Sequence, residues 1–404
     1  MIKRVLAMIL VGILLCWTVS AKTTYLYDAT DATAPFEEDE SVWLPTAAAV
    51  SEAALAVGGK AAVLLEQETG QILFQKNAHE KLPIASVTKI MTLLLVMEAL
   101  ESEQLKIDET VTCSKTAASM GGSQIWLEEG EQMTVDELLK AAAIVSANDA
   151  CAALAEHLCG SIALFVERMN QRADELGMQD TAFVDCSGLD DTGVSSAHDV
   201  ALMARELMKY TEIQRYTTVW MDTLRNGESQ LVNTNKLVRH YNGATGLKTG
   251  TTAAAGHCLA ATAKRDGIAF VAVILGCETT DERFGGARAM LDYGFANYTL
   301  YIPAADEGLL TPVEVQHGIA KSVSVQAGDA TPLLLKKGQE KSVVPKLELA
   351  QTIEAPVEQG QKLGEWQLFL DNEKVATIPL CATYAVGRMT LKAALGCLLN
   401  AVAV

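Results

Sequence analysis

Ser86 and Lys89 stand three residues apart in "IASVTKIMT", where a strongly apolar run, "IMTLLLVMEAL", begins. On a helix, positions i and i+3 share a face, so a serine near the N-terminus and a lysine one turn later bring Oγ and Nζ within reach of each other. The amine can take the hydroxyl's proton, provided that it is neutral. A lysine rooted among apolar side chains loses hydration, which favours the neutral form, and a second cation nearby would lower its pKa further. The helix N-terminus also offers backbone N–H groups to a developing oxyanion. This is the chemistry of nucleophilic acyl transfer. Alone, the pair means little: composition supplies roughly one Ser-x-x-Lys in a chain of this length, and a capping serine beside a solvated lysine accounts for it.

Two further patterns accompany it, each present once. Ser146-Ala147-Asn148 lies in "AAIVSANDACAAL", and Lys248-Thr249-Gly250 lies in "GATGLKTGTTAAAGHCLAA". A serine and an asparagine flanking a short turn between apolar helices can aim a hydroxyl and an amide into one cleft, one to relay a proton and the other to hold a substrate amide. On an edge strand, Lys-Thr-Gly supplies a cation and a hydroxyl for a carboxylate, and a glycine that admits a substrate backbone.

The elements that must position these residues are legible around them. "AAVLLEQETGQILFQ" is two apolar runs about Glu68-Thr69-Gly70, a hairpin. Thr134 to Glu137 forms a capping box ahead of "LLKAAAIV", Gly177 closes a helix that begins near Ser161, and another helix follows "VSSAHDVALMARELMKY". Strand periodicity returns from Gly256, with "HCLAATAK", a turn at Arg265-Asp266-Gly267 and "IAFVAVILGC", before a last helix, "GGARAMLDYGFANYT". Strand, helices, strands, helix is the order of an α/β domain whose first and last strands share one sheet. Beyond about residue 300 short alternating runs such as "SVSVQ", "WQLFL" and "VATIPL", with turns at Gly328-Asp329, Gly360-Gln361 and Asp371-Asn372, give a second, all-β domain.

The chain's 404 residues, half of them apolar, are enough for two cores. Its net charge of −18 argues against nucleic acid, whose phosphates need clustered Lys and Arg. The opening "MIKRVLAMILVGILLCWTVSA" has Lys3 and Arg4, an apolar run and a small-residue end, which reads as a signal peptide over 1–21 and an exported protein. Residues 22–47 are an acidic linker, 48–300 the catalytic domain and 301–384 the β domain. In 385–404, Arg388, Lys392, Gly396 and Asn400 are spaced four apart, a polar stripe on an otherwise apolar helix suited to a membrane interface. Eight of the nine cysteines would remain after cleavage. Cys151 and Cys159 share a predicted helix, about 12 Å apart, too far for a bridge, and no Cys-x-x-Cys or His-rich cluster suggests a metal. Most read as small buried hydrophobes.

Ser-x-x-Lys, Ser-x-Asn and Lys-Thr-Gly in this order resemble the β-lactamases and penicillin-binding proteins. The middle motif carries Ala147 where the Ser-Asp-Asn form of this pattern has aspartate. In that detail, in "GATGLKTG", in "SGLDDTGVSSAHDVALMAREL" and in "APVEQGQKLGE", the sequence is similar to the low-molecular-mass penicillin-binding proteins that are serine-type D-alanyl-D-alanine carboxypeptidases, from about residue 50 onwards. The resemblance implies a mixed α/β, penicillin-binding/β-lactamase-like catalytic domain with a mainly antiparallel sheet flanked by helices, a small all-β domain, and no cofactor or metal. It further implies that Ser86 attacks the penultimate D-alanine carbonyl of a peptidoglycan stem pentapeptide ending in D-Ala-D-Ala, with Lys89 as base. Ser146 and Asn148 would move a proton and orient the peptide, Lys248 and Thr249 would bind the terminal carboxylate beside Gly250, and the amides of Ser86 and Thr251 would form the oxyanion hole. β-Lactams would acylate Ser86, and the tail would anchor the protein on the outer face of the cytoplasmic membrane.

Two rivals are weighed against this. A β-lactamase uses a Glu-x-x-Leu-Asn base for deacylation, whereas Glu228-Ser229-Gln230-Leu231 is followed by Val232 and lies far past Ser146. A binding module or sensor that acylates without turnover would carry a spanning helix or a broken triad. His198 reads as a first-turn helix residue and His257 as a packing residue; Trp126 reads as a core residue, with the cleft border as the alternative.

Overall fold

The computed structural model describes Leu55 and residues 57–395; the expected signal peptide and acidic linker, and Gly396 and Asn400 of the tail, lie outside the described residues. One five-stranded antiparallel sheet organises the larger part, in the order β2-β1-β5-β4-β3, where β1 is Ala61–Glu66, β2 Ile72–Lys76, β3 Ala244–Thr252, β4 Gly256–Arg265 and β5 Ile268–Cys277. The hairpin around Glu68 therefore joins the late strands through β1 and β5, and β3, with Lys-Thr-Gly, is an edge.

Alternation along the central strands sends side chains to two cores. Ala61, Val63, Leu65, Val271 and Val273 face a large helical cluster, whereas Ala62, Leu64, Phe270, Ala272 and Ile274 face the last helix. Burial of both faces explains why these strands read as continuous apolar runs. Among the described residues six helices have ten or more residues: α1 Lys89–Glu101, α2 Val135–Ile144, α3 Asn148–Cys159, α4 Ile162–Glu175, α5 Ala197–Leu207 and α6 Thr280–Asn297. Only α6 covers the second face. Helix α1 is apolar all round and is buried from Lys89 to Met97, the pattern of a core helix rather than a surface one.

The local signals hold. Thr134 and Glu137 close a reciprocal capping box on α2, Ser161 caps α4, and Gly177 follows its end at φ +74°. The start of α6 differs: it begins at Thr280, capped by Thr279, five residues before the glycine pair that marks it in the sequence. Gly286 is inside the helix because a Cβ there would lie 2.6 Å from Ile274 Cδ1; the helix rests that closely on the sheet. The seven cysteines among the described residues are free thiols, five of them buried.

Residues 298–382 are strand-rich. Their main sheet runs Val325–Ala327, Glu373–Ala382, Lys362–Leu370, Val344–Leu349, around Trp366, Leu368, Ile378 and Leu380. Asp371 and Asn372, both at positive φ, make its tight hairpin turn. The tail helix is described over 391–395, not from 385: Val386 and Arg388 are held in bridges to Val357 and Gly318, so Arg388 precedes the helix rather than lying on its stripe.

Candidate active site

Ser86 is placed by a short 3-10 turn, Ala85–Thr88, that leads into α1. Ala85 has φ +47°, a left-handed conformation that a non-glycine residue holds only when its surroundings impose it. Two glycines impose it here. A Cβ on Gly188 would sit 1.9 Å from the Ala85 carbonyl oxygen, and a Cβ on Gly250 would sit 2.6 Å from that of Ile84 and 3.1 Å from the Ser86 nitrogen. The turn is thus clasped between the 185–190 loop and the edge strand β3, and only glycine lets either approach.

Lys89 is fully buried at the base of this turn. Its Nζ lies 2.9 Å from Ser86 Oγ, 2.6 Å from Asn148 Oδ1 and 2.7 Å from the Ser187 carbonyl. Burial lowers its pKa, opposed by the more distant Cys151, Asp185, Cys186 and Asp149. The arrangement is specific about protons. A carboxamide oxygen and a backbone carbonyl can only accept, so they engage two N–H bonds of a neutral amine and leave its lone pair facing the Ser86 hydroxyl.

Ser146, Ala147 and Asn148 form the α2–α3 connection. Ser146 is at φ +64° and buried, and its hydroxyl has no hydrogen-bond partner among the described residues. Asn148 opens α3; its Nδ2 donates to the Gly121 carbonyl at 2.7 Å while its Oδ1 holds Lys89. On β3, Lys248 is buried with Nζ 3.0 Å from the Thr249 carbonyl, and burial, then Lys89 and Arg283, push its pKa well down. Among the described residues no carboxylate lies at ion-pair distance from Lys89 or Lys248. Lys248, buried with no carboxylate partner among the described residues, is left to pair with an anionic group brought by a ligand.

The structure therefore brings all three motifs together, and it adds residues that the sequence did not single out. Thr234 receives the Thr249 hydroxyl at 2.7 Å. Arg283, from α6, is fully buried and donates to Thr251 Oγ1 at 3.1 Å. Asp149, fully buried beside Asn148, accepts the amides of Ile125 and Leu127, and burial raises its pKa. Asp185 accepts the amides of Ser187, Gly188 and Asp190, holding the loop whose carbonyl meets Lys89. Acid residues next to SxN and in a loop opposite the nucleophile gave a visible but unspecific signal; Thr234 and Arg283 gave none. Trp126 is 56 % exposed at φ +59°, so it is not a core residue. His198 is in the first turn of α5, as expected, beside Asp199.

A serine hydroxyl hydrogen-bonded to a buried lysine, beneath a glycine-bearing edge strand and between a sheet and a helical core, is the arrangement of a serine-type hydrolase. A family described as D-alanyl-D-alanine carboxypeptidase matches residues 47–279, and one described as penicillin-binding protein 5, C-terminal domain, matches residues 302–388. The chain is 43% identical over 333 residues to the D-alanyl-D-alanine carboxypeptidase DacF of Bacillus subtilis, covering 81% of this chain and 86% of that one. Among solved structures it is similar to penicillin-binding protein 5 of Haemophilus influenzae, with a TM-score of 0.71, 28% identity, and coverage of 82% of this chain and 98% of the other. It also resembles penicillin-binding protein D2 of Listeria monocytogenes in its ampicillin-bound form, with a TM-score of 0.55, 33% identity, and coverage of 60% and 99%.

The chain belongs to the D-alanyl-D-alanine carboxypeptidase family. It is a serine-type D-alanyl-D-alanine carboxypeptidase acting on peptidoglycan stem peptides; the β-lactamase and sensor alternatives find no support.

Proposed function

We propose that Ser86 is the nucleophile of this carboxypeptidase and Lys89 its base. The observation that carries the assignment is the set of three acceptors around Lys89 Nζ, of which only Ser86 Oγ has a proton to give. Ser86 Oγ attacks the penultimate D-alanine carbonyl as its proton passes to Lys89, and the oxyanion faces the amides of Ser86 and Thr251. The C–N bond then breaks, and the proton held by Lys89 passes through the Ser146 hydroxyl to the departing D-alanine amine, which leaves Lys89 neutral. Water attacks the ester, its oxygen bonding to the acyl carbon while its proton passes through Lys89 to Ser86 Oγ as the ester bond breaks. Lys248, Thr249, Thr234 and Arg283 form the subsite for the terminal carboxylate, which supplies the anion that Lys248 lacks. Asn148 orients Lys89 through Oδ1, and its second Nδ2–H is available to the peptide.

A β-lactam presents a similar amide and carboxylate, and its opened ring keeps the amine tethered after acylation. The test is D-alanine release from a diacyl-L-lysyl-D-alanyl-D-alanine peptide, together with fluorescent penicillin labelling, for wild type, Ser86→Ala and Lys89→Ala. Wild type should do both, and each variant should lose both while keeping its melting temperature within a few degrees. Release by Ser86→Ala would overturn the assignment.

The reading also places the protein outside the cell. Residues 1–21 serve as the export signal, 22–47 as a spacer, 48–300 as the catalytic domain, 301–384 as the β domain and the tail as an anchor on the outer face of the cytoplasmic membrane. Support for the anchor comes from Leu391 and Leu395, 87 % and 59 % exposed on either side of Lys392. Truncation after Thr390 should release the protein from anionic lipid vesicles; continued sedimentation of the truncated chain would count against it.

A further inference from the structure

Thr251 has a second role beyond its amide, and it involves a histidine. The Thr251 hydroxyl lies between two nitrogens: Arg283 Nη1 at 3.1 Å and His257 Nδ1 at 3.3 Å. His257 is the register partner of Thr251 across β3 and β4, so the strand ladder fixes their juxtaposition. Thr280 Oγ1, on α6, lies 3.5 Å from the same ring nitrogen.

We propose that His257 sets the direction of the Thr251 hydroxyl proton and so tunes, with pH, the affinity of the cleft for the substrate's terminal carboxylate. The inference rests on the carboxylate subsite proposed above. A hydroxyl has one proton and two lone pairs. Arg283 can only donate and takes one lone pair. While Nδ1 of the neutral ring is bare, Thr251 gives its proton to His257 and turns a lone pair toward the cleft, which a carboxylate avoids. Once the ring is protonated, Nδ1–H donates to Thr251 and both lone pairs are engaged. The hydroxyl proton is then left for the carboxylate, and the site has gained a positive charge. Both changes tighten binding as pH falls through the imidazole pKa, ordinarily about 6.5.

Among the described residues, the ionisable groups set against the ring are Arg283 on α6, which shares the Thr251 hydroxyl with it, and Cys277, its register partner on β5. Ser86 on the neighbouring turn and the two threonines contribute hydroxyls only.

The experiment is kcat and KM for the same D-Ala-D-Ala peptide between pH 5 and 8.5, measured on the full chain for wild type, His257→Gln, Thr251→Val and the double variant. For wild type, KM should fall about tenfold from pH 8 to pH 5.5, the gain of one charge-assisted hydrogen bond, with kcat following its own, separate profile. His257→Gln should flatten KM against pH, and in the Thr251→Val background its effect should shrink to the part carried by the ring's charge alone. A His257→Gln profile that tracks wild type overturns the inference, as does a His257→Gln effect undiminished without the Thr251 hydroxyl. A wild-type KM that does not change with pH also overturns it. A peptide ending in D-alaninamide separates the two levels of argument. If it binds as well as the acid, the carboxylate subsite itself is wrong; if the acid is preferred and His257→Gln still titrates like wild type, only the role of His257 falls.

Discussion

Replacing Gly250 by alanine tests the geometry of the cleft more sharply than removing a catalytic group. The new Cβ would stand 2.6 Å from the Ile84 carbonyl oxygen, 3.0 Å from the Val87 nitrogen and 3.1 Å from the Ser86 nitrogen. All three are backbone atoms of the turn that carries the nucleophile, so none can swing aside. Ordinary contact begins near 3.4 Å, and β3 must therefore part from the turn by about 0.8 Å. The two oxyanion-hole amides proposed here, of Ser86 and Thr251, lie on opposite sides of that seam, and both lengthen their reach to the oxyanion as it opens. A misplacement of about 1 Å, or the loss of one such donor, costs on the order of 100-fold in rate. Overpacking adds about 1–3 kcal/mol of destabilisation. The expected result for Gly250→Ala is a roughly 100-fold slower acylation by a fluorescent penicillin, a matching loss of D-alanine release, and a melting temperature lower by several degrees. Gly285→Ala is the control: its Cβ meets nothing within 4 Å, and an exposed helical site should gain up to about 1 kcal/mol. Acylation by Gly250→Ala within about threefold of wild type would refute the reasoning, because a seam that opens without loss cannot be what aligns the oxyanion hole.

Two further outcomes follow from the site. Asp149→Ala strands the buried amides of Ile125 and Leu127 and should destabilise the protein by about 3 kcal/mol, read by thermal unfolding; a melting temperature unchanged from wild type would show that the loop does not depend on this carboxylate. The penicillin acylation rate should rise with pH as Lys89 loses its proton, since the base acts only when neutral. Because burial lowers its pKa from the ordinary 10.5, the half-rise should fall below that value; a rate still climbing toward pH 10.5 would mean that the amine is not desolvated as the structure has it.

Much of this architecture was legible because its signals are local. A three-residue interval on a helix, a capping box at Thr134 and a positive-φ pair at Asp371-Asn372 are each decided within one turn of chain. The features that escaped are those settled by contacts between distant segments. The true start of α6 was hidden because Gly285 and Gly286 imitate a boundary, whereas Gly286 answers to the side chain of Ile274 on the sheet. Arg388 fits a helical stripe by spacing, yet its backbone bridges to Gly318. Trp126 reads as apolar packing, and the surrounding loop turns it to solvent.

The sequence by itself determined the three motifs, their order along the chain, and the alternation of strand and helix that must carry them, because residue type and short-range period are written into neighbouring positions. Tertiary structure alone decided that Lys89 faces two obligate acceptors and one hydroxyl, since Asn148 and the Ser187 carbonyl arrive from 59 and 98 residues away. It alone placed Thr234, Arg283 and His257 around the Lys-Thr-Gly strand. Proton position and charge in a buried site depend on which distant dipoles close around it, and no spacing within one segment encodes that closure.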